Sequence, residues 1–353
     1  MQKSKKIVVA PLDWGLGHAS RCIPIIRYLL KKKYEVIIGA DKRPLALLRS
    51  EFPTLEFVVM PGYNITYPAN GSMALKMASS IPKIVSGIKK EHIQLEKLIE
   101  SKKIDLVISD NRFGLWTKKI PCVFITHQVM IKAPIGENIL HRLNKNYINK
   151  FTECWVPDLP GEENLSGDLS HKFPLPGNAR YIGPLSRFSK NSSEEEDQLL
   201  VVLSGPEPQR SIFEKKIIAQ IKKYKIEALI VQGITESNKT RTEGSHCKVV
   251  SHLSSNDLQK EIVSSKYVLC RSGYSTIMDL AILGKKNIIF VPTPGQTEQE
   301  YLAKLFSKKK VAYSDSQKKI DLKKAMEECG KYTGFPSNFR NDEFESAVDS
   351  LLG

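Results

Sequence analysis

At 353 residues with 41% hydrophobic content, the chain exceeds the size at which a single hydrophobic core keeps growing, and a two-domain protein is expected. Its 53 Lys and Arg against 38 Asp and Glu leave a net charge of +15, which favours anionic partners: nucleotide phosphates, acidic lipid headgroups or nucleic acid. Cysteines at 22, 122, 154, 247, 270 and 329 form no Cys-x-x-Cys pair, which argues against a zinc ribbon or a disulfide framework, and no window approaches the ~18 uninterrupted apolar residues of a spanning helix.

The N-terminus runs from a short basic stretch straight into the strand-like Ile7–Ala10 and Pro11, with no signal-peptide core, so a cytoplasmic location is expected. The turn that follows, Asp13-Trp-Gly-Leu-Gly-His-Ala-Ser-Arg21, opens a helix over Ser20–Lys32. Gly15 and Gly17 let backbone approach a ligand, and the unpaired N–H groups of a helix start suit an anion. His18 at this end is a candidate general base. The turn also half-fits the dinucleotide fingerprint, with Asp41 near the end of the second strand, which keeps a nicotinamide enzyme in play.

Further strands are predicted at Glu35–Gly39, Phe57–Met60, Leu106–Ser109, Val123–Thr126, Cys154–Val156 and Tyr181–Ile182, with a helix over Ile84–Glu100. Asp110 and His127 end two of these strands, and Asp110 is the alternative base. Between Met73 and Lys90, Met, Leu and Ile alternate with lysines. That pattern fits either a core-facing amphipathic helix or one lying on a membrane surface.

Prolines, glycines and a polar run from Lys190 to Asp197 mark residues 157–198 as a boundary region. The domains are expected at 1–185 and 186–330, with 331–353 ending in a helix that packs back on the first. Strands resume at Leu199–Leu203, Ala228–Val231, Lys248–Val250, Tyr267–Cys270 and Asn287–Val291. The fold class is thus α/β, two Rossmann-like doubly wound domains facing a central cleft.

In the second half, Arg271-Ser-Gly-Tyr-Ser-Thr276 joins a strand end to a helix start, where the amides and hydroxyls of Ser275 and Thr276 suit a diphosphate. Asp279, one turn on, can accept two hydrogen bonds from vicinal ribose hydroxyls. The stretch Cys270 to Gly284, then Ile-Ile-Phe-Val-Pro292 and Thr-Glu-Gln-Glu-Tyr-Leu-Ala303, resembles glycosyltransferase family 28, which includes the peptidoglycan N-acetylglucosaminyltransferase that makes lipid II.

The resemblance implies the GT-B fold and metal-independent, inverting transfer from a UDP-sugar to a hydroxyl acceptor, lipid-linked acceptors included, on the inner face of a membrane. It places the donor on Ser275, Thr276 and Asp279, its sugar hydroxyls on Gln299 and Glu300, its phosphates near Arg187 and its base near Leu253; Ser272 and Gly273 stand in the same turn, and without a metal the charge on the leaving diphosphate falls to helix N-termini and to Arg271 or Arg187. Gly205 lies in Leu203-Ser-Gly-Pro-Glu-Pro-Gln-Arg210, where the family has a glycine-rich loop; Pro206 and Pro208 remove two amide donors from it.

No Asp-x-Asp or zinc-type histidine pair occurs, and neither metal nor cofactor is expected; nor is nucleic acid, since no zinc-finger or RNA-recognition motif accompanies the basic residues. Two readings compete with transfer. One is a nucleotide-sugar hydrolase, whose Gly-x-Gly-His-x-x-Arg pattern Gly15 to Arg21 also matches; the other is a non-catalytic nucleotide-sugar or membrane-surface binding protein.

Overall fold

The computed structural model describes residues 4–63, 73–132, 137–190, 194–340 and 342–353, with the side chains of 73–80 excepted. Part of the boundary-region polar run and the side chains of the first half of the Met73–Lys90 segment therefore lie outside the described residues.

In chain order the first half contains β1 (Lys6–Pro11), α1 (Leu16–Lys31), β2 (Glu35–Ala40), α2 (Lys42–Glu51), β3 (Glu56–Val59) and α3 (Met73–Lys102). It continues with β4 (Leu106–Asp110), β5 (Cys122–Ile125), α4 (Glu137–Ile148), β6 (Glu153–Val156), α5 (Asp168–His171) and β7 (Ala179–Tyr181). The second half holds β8 (Glu196–Val202), α6 (Gln209–Tyr224), β9 (Ala228–Val231), β10 (Thr240–Thr242), β11 (Cys247–Val250), α7 (Ser255–Ser264) and β12 (Ser265–Cys270). After these come α8 (Tyr274–Ile282), β13 (Ile288–Phe290), α9 (Thr297–Lys308), β14 (Tyr313–Ser314), α10 (Leu322–Cys329) and α11 (Glu343–Leu352).

Two seven-stranded sheets result, in the orders β3-β2-β1-β4-β5-β6-β7 and β10-β11-β9-β8-β12-β13-β14. The first is parallel throughout; in the second only β10 runs antiparallel, to β11. Strands covered by helices on both faces must be apolar on both faces. The runs Ile7–Ala10, Leu106–Ile108 and Cys122–Ile125 meet that demand, with at most 1% of any of these residues exposed.

Each sheet has its own core. Val8, Val107, Phe124 and Leu95 anchor one, and Leu199, Val201, Phe213 and Ile289 the other. At about 1.5–3 kcal/mol per buried large aliphatic or aromatic side chain, these cores dominate the stability of both halves.

The chain divides into two compact units, with Arg187–Phe339 in the second and Arg340–Gly353 returning to the first. Helix α11 is held there by Phe344, edge-on to Tyr28 at 5.8 Å, and by Asp349, which accepts from Tyr28 Oη at 2.8 Å and Lys32 Nζ at 3.0 Å. Gly183, at φ +73°, lies under this helix, where a Cβ would come within 2.6 Å of Glu343 Oε2.

Several element ends differ from expectation. Helix α3 begins at Met73 rather than Ile84, since the helix runs through Pro82. The strand expected at Phe57–Met60 is Glu56–Val59, and that at Tyr181–Ile182 is Ala179–Tyr181. Strands β10 and β14 are edge strands of three and two residues without a continuous apolar run.

Candidate functional site

In each sheet the order reverses once beside the first strand of the unit, between β1 and β4 and between β8 and β12. Successive connections depart there to opposite faces, leaving a crevice beyond the strands' carboxyl ends. Both groups of candidate residues lie at these two points.

In the first unit, Pro11 and Asp110 are paired at the ends of β1 and β4, and Leu12 N donates to the Asp110 carbonyl at 3.0 Å. The turn that follows β1 reaches α1 through Gly15, the N-cap, at φ +136° and with nothing within 4 Å of where a Cβ would stand. Gly17 and His18 thus fall in the first helical turn. His18 Nδ1 lies 2.7 Å from Asp110 Oδ1, with the imidazole 15% exposed and the carboxylate fully buried.

Arg21, one turn after His18 on the same helical face, is 1% exposed. Its Nε and Nη2 grip the two Asp110 oxygens, Nη2 also lies 3.0 Å from His18 Nδ1, and Nη1 lies 2.9 Å from His127 Nδ1 at the end of β5. A guanidinium only donates, so His127 Nδ1 accepts and the proton of that ring sits on Nε2; His18 Nδ1 lies nearer the Asp110 carboxylate, which only accepts, so it carries its own proton and Arg21 Nη2 is a neighbour rather than a donor to it. Burial alone would raise the Asp110 carboxyl, but the Arg21 and His18 charges and hydrogen bonds outweigh it and hold it at about 2. Both Asp110 oxygens are thus engaged, one by His18 and Arg21 and the other by Arg21, so the carboxylate faces these two side chains rather than open space.

Beneath this cluster, Arg112 and Glu91 are paired at 2.7 Å with the arginine fully buried. The same guanidinium donates to the carbonyls of Pro11 and Met60, joining the ends of β1 and β3 to α3. Asp41, the residue that a dinucleotide fold would set on a ribose, has its carboxylate at the start of α2, accepting from Lys42 N at 2.9 Å.

In the second unit, β12 ends at Cys270, and Arg271-Ser-Gly leads into α8 with Gly273 as N-cap. The N-cap side chain makes no hydrogen bond at this helix and no acid stands in its first turn; the same is true of α1, whereas at α6 the Glu207 carboxylate accepts from Ser211 N at 3.3 Å. By contrast, Asp41, Ser254 and Asp321 cap α2, α7 and α10, and α9 and α11 carry acids in their first turns. A helix start whose dipole no acid neutralises suits an anion. Ser275 and Thr276 are half-buried in the first turn of α8, open space lies over Gly273, and Asp279 follows, 8% exposed.

Arg271 departs from expectation. Its guanidinium points inward, 1% exposed, giving hydrogen bonds to the Val291, Pro292 and Gln209 carbonyls and to Gln317 Oε1, and stacks 4.1 Å from the Phe213 ring. Both terminal nitrogens are given to scaffold partners, which leaves them facing inward. Arg187 lies over Phe188 at 5.0 Å, with Nη1 3.3 Å from Ser255 Oγ at the start of α7.

Gln299 Oε1 accepts from Thr293 N at 2.8 Å and Glu300 Oε1 from Gly295 N at 3.0 Å, so both side chains shape the loop after β13. Leu253 is half-buried three residues beyond β11. Gly205 takes φ +99° in the proline-bearing loop before α6. Sequence reasoning missed the Arg21 pairing; its spacing of three from His18 was the available signal.

Residues 200–337 match the model of the glycosyltransferase family 28 C-terminal domain and residues 5–158 that of glycosyl transferase family 1. An uncharacterized glycosyltransferase of Methanosarcina acetivorans is 23% identical over 318 residues, covering 84% of this chain and 81% of its own. Among solved structures, Arabidopsis thaliana UGT89C1 complexed with UDP-L-rhamnose has a TM-score of 0.63 at 10% identity, covering 99% of this chain and 95% of that one. Acinetobacter baumannii MurG has a TM-score of 0.55 at 11% identity, with 99% of each chain covered. At such identities the structures establish the fold, and the family models the chemistry: the second unit carries a glycosyltransferase family 28 C-terminal domain, and the chain is a glycosyltransferase of the GT-B fold.

Proposed function

We propose that the protein transfers a sugar from a UDP-sugar to a hydroxyl acceptor in one inverting displacement, without a metal. The observation that carries this reading is the His18–Asp110–Arg21 cluster at the carboxyl edge of the first sheet. With Nδ1–H given to Asp110, His18 keeps its Nε2 lone pair for the acceptor hydroxyl. The acceptor oxygen attacks the anomeric carbon as its proton passes to Nε2. The bond from that carbon to the diphosphate oxygen breaks, and the electron pair leaves with the diphosphate. Amides at the start of α8, with the Ser275 and Thr276 hydroxyls, receive the developing charge.

Asp279 takes the ribose. Exchange for alanine removes two charge-assisted hydrogen bonds, and calorimetry should show UDP binding roughly ten- to a hundredfold weaker. Unchanged UDP affinity would show that the ribose lies elsewhere.

A lipid-linked acceptor is supported by the first unit. Helix α3 exposes Ile81, Val85 and Ile93 among Lys83, Lys89 and Lys90, and α4 exposes Ile139 and Leu143 beside Arg142 and Lys145. Apolar side chains interleaved with lysines are the mix that settles on an anionic lipid surface. No helix among the described residues is long and apolar enough to cross a membrane.

The test is incubation with UDP-sugars, first alone and then with lipid-linked hydroxyl acceptors. Transfer predicts slow release of free sugar alone and rapid, acceptor-dependent release of UDP. Fast stoichiometric release of sugar without acceptor overturns transfer in favour of hydrolysis.

A further inference from the structure

Three adjacent strands of the second sheet end in register: Val202 of β8 pairs with Cys270 of β12, and Cys270 with Phe290 of β13. Three residues beyond each stand Gly205, Gly273 and Thr293. These positions line the carboxyl edge at and beside the reversal of strand order, where a ligand of this fold is held.

Thr293 is 1% exposed, and its hydroxyl oxygen, with almost no surface of its own, has no hydrogen-bond partner among the described residues. Its amide is spoken for, by Gln299 Oε1. A buried hydroxyl left unpaired is a standing cost, and its retention calls for a partner that arrives later. The space in front of it is defined by Gly205. A Cβ built there would meet only the Thr293 hydroxyl, at 3.3 Å, and nothing else beyond its chain neighbours within 4 Å. A side chain at position 205 would therefore crowd this hydroxyl.

The loop carrying Gly205 is held from behind. Arg271 donates to the Gln209 carbonyl and to Gln317, whose amide in turn reaches Gln209 Oε1 at 3.0 Å, while Arg210 Nε reaches Glu207 at 2.7 Å. Within this loop Pro206 and Pro208 offer no N–H to a phosphate.

We propose that the Thr293 hydroxyl binds the second, sugar-bearing phosphate of the donor, supplying the hydrogen bond that the proline-bearing loop cannot, and that Gly205 is bare so that this phosphate oxygen can reach it. The assignment rests on the donor reading above. It follows the order in which Asp279 takes the ribose and the α8 amides the first phosphate.

Calorimetric titration of wild type, Thr293→Val and Thr293→Ser with UDP and with UMP tests it. Valine keeps the shape and deletes the hydroxyl. UDP should bind Thr293→Val roughly ten- to a hundredfold more weakly, as for loss of a hydrogen bond to a charged group. UMP affinity should stay within about twofold, and serine should restore most of the UDP affinity, since it keeps the donor group. The melting temperature of unliganded Thr293→Val should equal or exceed that of wild type, because an unpaired hydroxyl has been removed. Equal UDP affinity in wild type and Thr293→Val, or a matching loss for UMP, overturns the assignment while leaving the donor reading in place. A wild-type protein that binds UMP as tightly as UDP overturns both.

Discussion

Replacing His18 by alanine should lower the rate of sugar transfer by roughly a hundred- to ten-thousandfold, the range for loss of a positioned general base, with UDP affinity unchanged. The second half of this expectation carries the discrimination. His18 belongs to the first unit and the donor residues Ser275, Thr276 and Asp279 to the second, each with its own core. A substitution in the first turn of α1 that spares the second core should leave nucleotide binding intact. The side chain is also 15% exposed, so truncation leaves no sealed cavity and the variant should stay folded. Single-turnover rates at saturating donor and acceptor isolate the chemical step from binding. Turnover that survives the substitution within about threefold would remove His18 as the base, whatever its geometry.

How far the sequence disclosed this site differs from residue to residue, for physical reasons. Strands such as Ile7–Ala10 and Ala228–Val231 were legible because burial on both faces demands an unbroken apolar run, while Thr240–Thr242, exposed and polar on an edge, has no such signature. His18 could be found because Gly15 and Gly17 mark a backbone that approaches something closely. The spacing of three sets Arg21 beside His18, but its pairing with Asp110 and His127 was not legible, since these lie 89 and 106 residues away and only the sheet order brings them together. The direction of Arg271 was illegible for the converse reason. It adjoins the strand end and helix start that suit a phosphate, yet side chains alternate along extended backbone, and its own turns into the core against Phe213. Thr293 carries no motif, and only the register of β8, β12 and β13 and the bare Gly205 opposite bring it into view.

Asp110→Asn should both destabilise the protein, by roughly 3–5 kcal/mol as for a broken buried ion pair, and cut transfer at least about a hundredfold. The two losses have separate causes and can be pulled apart. Stability falls because the Arg21 guanidinium, 1% exposed, keeps its charge and loses its counter-ion. Transfer falls because an asparagine amide can turn its NH2 toward His18 Nδ1, which then accepts and leaves the proton on Nε2, where the lone pair is needed. Adding Arg21→Met removes the stranded charge, so the double variant should regain much of the urea midpoint but none of the activity. Recovery of both together would mean that Asp110 serves the fold alone. The acid limb of stability gives an independent check. Arg21 and His18 hold the Asp110 carboxyl at about 2 in the folded protein, below its ordinary value of 3.8, so its contribution is fully present above about pH 4 and fades as pH falls toward 2. That difference corresponds to on the order of 2 kcal/mol. Wild type should therefore lose this much more stability than Asp110→Asn between pH 5 and pH 2, as read from urea midpoints at each pH. Equal acid sensitivity in the two proteins would mean that the pair with Arg21 does not hold Asp110 ionised.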